Sequence, residues 1–348
     1  MEKVWHLMAN IQDVATLAGV SISTVSRVLN GTAQVTGDVR ARVETAMQEL
    51  HYQPSPAARS LRRNRSNIIG LLVSDLQNPF FMNLIQGVED TAQRNGYSVI
   101  LCNSREDSLR EQQYLKVLYA ERVSGAILIP TRENLGSTLK GFHERHIPLV
   151  AVDRRIKDTM IDAVLVDNVR GAREAVNHLI GNGYRRIGII TGPPTITTAR
   201  ERLTGYRQAL LEAGISPDPA LERSGAFREA NGSMFTEELL HLTPAIDALF
   251  VANSIMTLEA FKTLLAHQIR VPDDLALVGY DETPWADLSS VSLTTVMQPI
   301  YELGCVATQR LFQHLQDSTA HARQEILLTP TLHVRASSSR LDVANTTG

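Results

Sequence analysis

The chain has 348 residues, a formal net charge of −3, 43% hydrophobic and 20% charged residues, enough apolar material for two or three buried cores and too much for a disordered chain. Its apolar runs are strand-sized, as at Ile68 to Val73, so no membrane anchor is expected, and Met1 to Leu7 lack the order of a secretory signal. Two distant cysteines, Cys102 and Cys305, form neither a disulfide framework nor a metal-ligand pattern, which makes the cytoplasm the expected compartment and leaves no cofactor implied.

Charge is unevenly spread. Residues 1 to 66 hold eight Lys/Arg against five Asp/Glu, with half of those cations at Arg59, Arg62, Arg63 and Arg65. In this region Asn10 is placed to cap a helix from Ile11, with Asp13 at its third position and Val14, Leu17 and Ala18 on one face. Gly19 breaks that helix, Val20 anchors the bend, and Ser21 caps a second helix through Val25, Val28 and Leu29. Thr36 caps a third, whose stripe of Val39, Val43, Ala46, Met47 and Leu50 covers the first two. The second helix keeps a polar face of Ser23, Ser26, Arg27 and Asn30, suited to a DNA major groove; a helical hairpin for protein contact stays open on pattern alone.

The string Ile11-Gln12-Asp13-Val14-Ala15, followed by Ala18-Gly19-Val20-Ser21 and Ser23-Thr24-Val25-Ser26-Arg27-Val28-Leu29-Asn30, resembles the opening signature of the lactose/galactose-repressor (LacI/GalR) family. The resemblance implies a helix-turn-helix head in residues 8–53 and a start at Met8, with residues 1–7 an extension; N-terminal sequencing that found Glu2 or Lys3 in native protein would remove the second point. It also implies that Ile22, Ser23 and Arg27 read base edges, with Thr24, Ser26 and Asn30 beside them.

After Tyr52, Ser55 and Pro56 can open a short helix, too short to be stable alone, and composition would also allow a plain linker. The order Tyr52-x-Pro54-x-x-x-Ala58-x-x-Leu61 is similar to the family's hinge, which implies a hinge helix and linker in 54–66 with Ala58 and Leu61 at the DNA minor groove; Ser55 replaces the usual asparagine.

From Asn67 apolar runs alternate with helical patterns. Strands are expected at Ile68 to Ser74, Ser98 to Cys102, Ala126 to Ile129, Leu149 to Val152, Ala163 to Val166, Ile187 to Thr191, Ala248 to Val251 and Leu275 to Gly279. That alternation predicts an α/β core of two parallel-sheet subdomains behind an all-α head, with ligand held where the strand ends of both sheets face each other. Near those ends stand Asn78, Phe80, Phe81, Asp153, Arg154, Arg202, Phe227, Asn253, Asp281 and Gln298. Singly they are ordinary loop and core residues. Together they supply carboxylates and amides for vicinal hydroxyls, arginine donors and phenylalanine faces for ring C–H groups.

The resemblance continues to about residue 335. It implies a periplasmic-binding-protein-like core over 67–335, an N-subdomain of about 67–166 and 297–325, a C-subdomain of about 167–296 and 326–335, and a tail from 336 to 348. The ten residues are similar, position by position, to the ribose-binding type, so a pentose or related monosaccharide is the first expectation, with a sugar phosphate or a purine as alternatives. The usual Asn-Asp pair is Asn253-Ser254 here.

No Gly-x-Ser-x-Gly, His-Glu-x-x-His or phosphate-loop motif occurs, so catalysis is not expected, and a free-standing envelope sugar-binding protein would not need the helical head. One small head reads DNA weakly, which calls for a homodimer on a palindromic double-stranded operator. The tail lacks a leucine heptad, so a tetramer through a C-terminal coiled coil is not expected.

Overall fold

The computed structural model describes residues 9–29, 35–52, 66–157, 161–227, 231–282, 286, 292–317 and 323–339. The chain divides into two units, residues 1–66 and 67–348.

In the first unit, α1 (Ile11–Leu17) opens with a reciprocal cap: Asn10 Oδ1 accepts from the amides of Gln12 and Asp13 at 2.7 and 3.2 Å, and the Asp13 carboxylate accepts from Asn10 N at 2.8 Å. Gly19 follows at φ +64°, a left-handed turn that a side chain would strain. Ser21 Oγ then accepts from Thr24 N at 3.2 Å to start α2 (Ile22–Leu29). With α3 (Gly37–Glu49) these helices enclose Val14, Ala15, Ala18, Val25, Val28, Val43 and Ala46.

Two expectations need correction. Leu17 is 50% exposed, because helical spacing puts it beside the arc formed by Val14, Ala18 and Ala15. Thr36 precedes α3 in extended conformation but makes no side-chain cap bond; the first turn instead carries Asp38, whose charge suits a helix N-terminus.

The second unit contains two lobes. The first is built from β1 (Ile68–Val73), α4 (Pro79–Arg94), β2 (Ser98–Asn103), α5 (Ser108–Ala120), β3 (Gly125–Leu128), α6 (Lys140–Glu144), β4 (Leu149–Val152) and β5 (Asp162–Val166). The second holds α7 (Asn168–Gly181), β6 (Ile187–Thr191), α8 (Thr197–Glu212), β7 (Glu222–Ser224), α9 (Asn231–Leu240), β8 (Ala248–Val251), α10 (Ser254–Ala266), β9 (Ala276–Tyr280) and β10 (Thr294–Met297). The chain then returns for α11 (Ile300–Gln316) and β11 (Glu325–Leu328), and ends with β12 (Thr331–His333).

The sheets run β11-β5-β4-β3-β1-β2 and β12-β10-β9-β8-β6-β7; β12 pairs antiparallel with β10 and the other pairings are parallel. The central strands are buried on both faces, which is why β3, β4, β5, β6, β8 and β9 read as continuous apolar runs rather than alternating ones. Against the first sheet, α4 and α11 cross at glycines: a Cβ on Gly87 would lie 2.2 Å from the Tyr301 carbonyl oxygen, and one on Gly304 would lie 2.3 Å from that of Leu84.

Three short segments join the lobes, between β5 and α7, between β10 and α11, and between β11 and β12. The last lies a few residues beyond the expected boundary near 325, because Ile326, Leu327 and Leu328 pair with β5. The start of the expected tail also belongs to the second lobe: Ser337 Oγ donates to the Leu277 carbonyl at 2.6 Å and accepts from Thr294 N at 2.8 Å, which buries Ser337 and Ser338. Among the described residues no helix is long and apolar enough to cross a membrane.

Candidate functional site

On the first unit, burial of Val25 and Val28 fixes which face α2 turns outward. Ser23 and Arg27, one turn apart, are exposed, whereas Ile22, Thr24 and Ser26 are half-buried. Ile22 leans on the small core, and the Thr24 and Ser23 hydroxyls meet Ser21 Oγ at 2.8 and 2.7 Å, which orders the start of the helix. Asn30, Ala58 and Leu61, with the whole expected hinge, lie outside the described residues.

In the second unit all ten expected ligand residues line one cavity at the strand ends of both sheets. The first lobe supplies Asn78 at the start of α4, where its Oδ1 accepts from Phe80 N at 3.0 Å. This cap presents Phe80 and Phe81, packed edge to face with centroids 5.0 Å apart. Asp153 and Arg154 follow β4. The second lobe supplies Arg202 from α8, Phe227 after β7, Asn253 as the cap of α10, and Asp281 after β9. Gln298 stands in the segment that joins β10 to α11.

The two aspartates occupy matching places. Each follows a buried strand, each has a left-handed backbone, with φ 66° at Asp153 and 73° at Asp281, and each donates its amide to the neighbouring strand, at Val164 and Val296. Non-glycine residues take this conformation at a cost, and Asp is among those that tolerate it best; here it turns the chain sharply off the strand end.

Burial governs the electrostatics. It raises the Asp153 carboxyl to about 6, against the opposing pull of Arg154 and Arg202, with Asp281 adding to the rise. Burial likewise pushes Asp281 up, opposed by Arg202 and by the Gln298 amide that donates to Asp281 Oδ1. Arg202 is held by Asn168 Oδ1 at 2.9 Å and the Ala252 carbonyl at 2.7 Å, with its guanidinium 3.8 Å from the Tyr280 ring centroid. Arg154 donates both terminal nitrogens to Glu106, at 2.9 and 2.7 Å, and one of them to the Pro130 carbonyl.

Two buried polar atoms in this cavity, Arg154 Nε and Gln298 Oε1, have no hydrogen-bond partner among the described residues. Leaving such groups unpaired costs about 1–3 kcal/mol each. Acceptors at two carboxylates, a guanidinium donor and three phenylalanine rings suit a small ring bearing several hydroxyls.

Residues 10–55 match the family model for bacterial regulatory proteins of the lacI family, and residues 176–338 match a periplasmic binding protein-like domain. A ribose operon repressor of Halalkalibacterium halodurans is 38% identical over 89% of this chain and 91% of its own length. The chain belongs to the lacI family of bacterial regulatory proteins. The repressor PurR of Aliivibrio salmonicida is 34% identical over 96% of this chain and its own full length. Among solved structures, a lac repressor dimer bound to operator and the anti-inducer ONPF aligns with TM-score 0.84 at 29% identity, covering 95% of this chain and 99% of that one. A LacI family regulator from Enterococcus faecium with bound ribose aligns at 0.71 and 27% identity, covering 79% and 99%.

This lacI-family chain is therefore a transcriptional repressor and not an enzyme. Its cavity also includes Asp75, Glu106, Thr198 and Ile255, which the sequence reading did not single out. Asp75 and Glu106 follow β1 and β2, where the strand-end rule that located Asp153 and Asp281 would have found them. Ser254, the departure from the family's usual Asn-Asp pair, donates across the cleft to Asn78 Oδ1 at 3.4 Å.

Proposed function

We propose that this repressor acts in the cytoplasm as a homodimer on a palindromic operator, and that a pentose, ribose in the first place, binds the cavity and changes its affinity for DNA. The convergence of Asp153, Asp281, Arg154, Arg202 and three phenylalanines on one cavity carries the reading. A sugar's hydroxyls donate to both carboxylates, and its C–H faces cover aromatic rings. The ribose operon repressor among its relatives and the ribose-bound regulator from Enterococcus faecium support the same choice. On the DNA side, Ser23 and Arg27 are the proposed base-reading residues, with Ile22, Thr24 and Ser26 next to them and Ala58 and Leu61 in the hinge.

The likeness to PurR favours a second reading, a purine effector. A flat base offers few donors for two buried carboxylates, which places it behind a polyol. A thermal-shift screen of the full chain with ribose, other pentoses, hexoses and purines separates the two. The expected result is stabilisation by ribose that disappears in Asp281→Ala and Arg202→Ala; stabilisation by a purine and by no sugar overturns the assignment.

A further inference from the structure

We infer that Glu201 is a positioning residue for the effector site: through Asn168 it ties Arg202, which lines the cavity, to Arg155 of the first lobe, so that the aim of the ligand-facing arginine depends on how the lobes are set. The inference rests on the proposal that this cavity binds the effector, and it names the side chains that link occupancy to lobe arrangement.

A guanidinium, a carboxylate and an amide stand in line, and each planar group divides its two ends between different neighbours. Arg155, just beyond β4, anchors Nε and Nη2 on Glu325 at the start of β11, at 3.2 and 2.7 Å, which keeps that side of the guanidinium in the first lobe. Its Nη1 crosses to Glu201 Oε1, on α8 of the second lobe. The other carboxylate oxygen, Glu201 Oε2, accepts from Asn168 Nδ2 at 3.0 Å. Asn168 is 1% exposed at the start of α7, in the join that follows β5, and its Nδ2 also donates to the Val166 carbonyl at 3.1 Å. On its far side Oδ1 accepts from Arg202 Nε at 2.9 Å and from the Tyr280 hydroxyl at 3.3 Å.

The amide has one workable orientation. Turned end for end, it would set its N–H groups against the Arg202 donor and its oxygen against the Glu201 carboxylate and the Val166 carbonyl, so Glu201 helps fix which end of Asn168 meets Arg202. Moving Arg155 off α8 would leave Glu201 Oε1 without its cation, and the brace that holds Asn168 and Arg202 from that side would slacken.

The neighbouring interlobe pair lacks this design. Arg200 reaches Glu133, but it is 49% exposed, and the other bond of its guanidinium among the described residues goes to the Pro194 carbonyl of its own lobe, not toward Arg202.

The test is calorimetric titration of the full chain with ribose in the unsubstituted protein, Arg155→Met, Asn168→Ala and the double variant, together with hydrogen exchange on sugar-free unsubstituted protein and Arg155→Met. Arg155→Met should weaken ribose by about fivefold, the scale of one half-buried ion pair. Asn168→Ala should weaken it by about thirtyfold, because a buried guanidinium loses its acceptor. Independent effects would multiply to roughly 150-fold, whereas a string acting through Glu201 leaves the double variant no weaker than Asn168→Ala alone. Multiplying effects, the signature of a merely structural role, refute the assignment. In the exchange arm, Arg155→Met should speed exchange in the first turns of α7 and α8; unchanged exchange there overturns the inference whichever ligand binds, and this arm stands even if Asn168→Ala fails to fold. If another monosaccharide binds in place of ribose, it becomes the titrant; if no sugar binds the unsubstituted protein, the sugar reading falls and the exchange result alone decides the role of Glu201.

Discussion

Asp153 gives the sharpest quantitative expectation, because burial raises its carboxyl to about 6. A sugar hydroxyl that donates to this group favours the ionised form, so binding lowers the carboxyl's pKa and releases a proton wherever the carboxyl is protonated before binding. The sign follows. Relative to an unfolded carboxyl near 3.8, the folded state is favoured below that value and loses the advantage as pH rises through about 6; a ligand that lowers the folded value restores it. At about pH 5 only about one site in ten is ionised, so affinity should be about tenfold lower than at about pH 7.5, or about 1.4 kcal/mol. Isothermal titration in two buffers of different ionisation enthalpy measures both the affinity and the proton, with up to about one proton released per sugar below about pH 6. Asp153→Asn should bind more weakly at neutral pH and show a flatter pH profile. Affinity that is constant across this range, or a profile unchanged in Asp153→Asn, would refute the argument that burial, not solvent, sets this carboxyl.

Other substitutions probe separate parts of the molecule. Arg27→Ala should lower operator affinity by about 1–3 kcal/mol in fluorescence anisotropy at fixed salt if it pairs with a base edge, and equal loss on random DNA would instead mark a phosphate contact. Gly192→Ala would put a Cβ 2.1 Å from Phe227 Cζ, so the ring must leave its place at the cavity; sugar affinity should drop by about tenfold while the melting temperature, with Phe227 only half-buried, moves little. Gly87→Ala meets the Tyr301 backbone at 2.2 Å and should cost about 1–3 kcal/mol in urea unfolding; an unchanged midpoint would show that α4 and α11 can separate freely. Glu133 and Arg200 form an ion pair between the lobes, 13% and 49% exposed, and a double-mutant cycle on sugar affinity should give at most about 1 kcal/mol of coupling, vanishing in high salt.

The eight strands expected from apolar runs all form, with ends shifted by a residue or two, because strands buried on both faces carry an unbroken apolar signal. The four others carried weaker marks. β7 is a three-residue edge strand with no buried residue, β11 alternates exposed and half-buried positions, β12 is three residues long, and β10 spends two of its four positions on threonine. That the ten residues would meet in one cavity was legible because they stand near strand ends, and topology gathers those ends. Glu106 escaped notice in the charged string Ser104-Arg105-Glu106-Asp107, where a solvated loop and a cavity wall look alike until the Arg154 contact is seen. Leu17 and the buried Ser337 and Ser338 were misplaced for one reason: periodicity reports a segment's own pattern and not what packs on it.

The proposed effector response has a physical basis in how the lobes are joined. Each lobe has its own packed core that resists gradual deformation, and three short segments carry the chain between them, so a hinged rearrangement would have to pass through those segments. Two of the joins carry site chemistry: Gln298, between β10 and α11, donates to Asp281, and Asn168, at the start of α7, holds Arg202. A ligand that engages Asp281 and Arg202 from one side and Asp153 and Phe80 from the other therefore favours one arrangement of the lobes over another. Its leverage equals the difference in its affinity for the two arrangements, not its affinity for either. A molecule confined to one lobe would leave that equilibrium where it was, so the proposed effector must engage residues of both lobes to act.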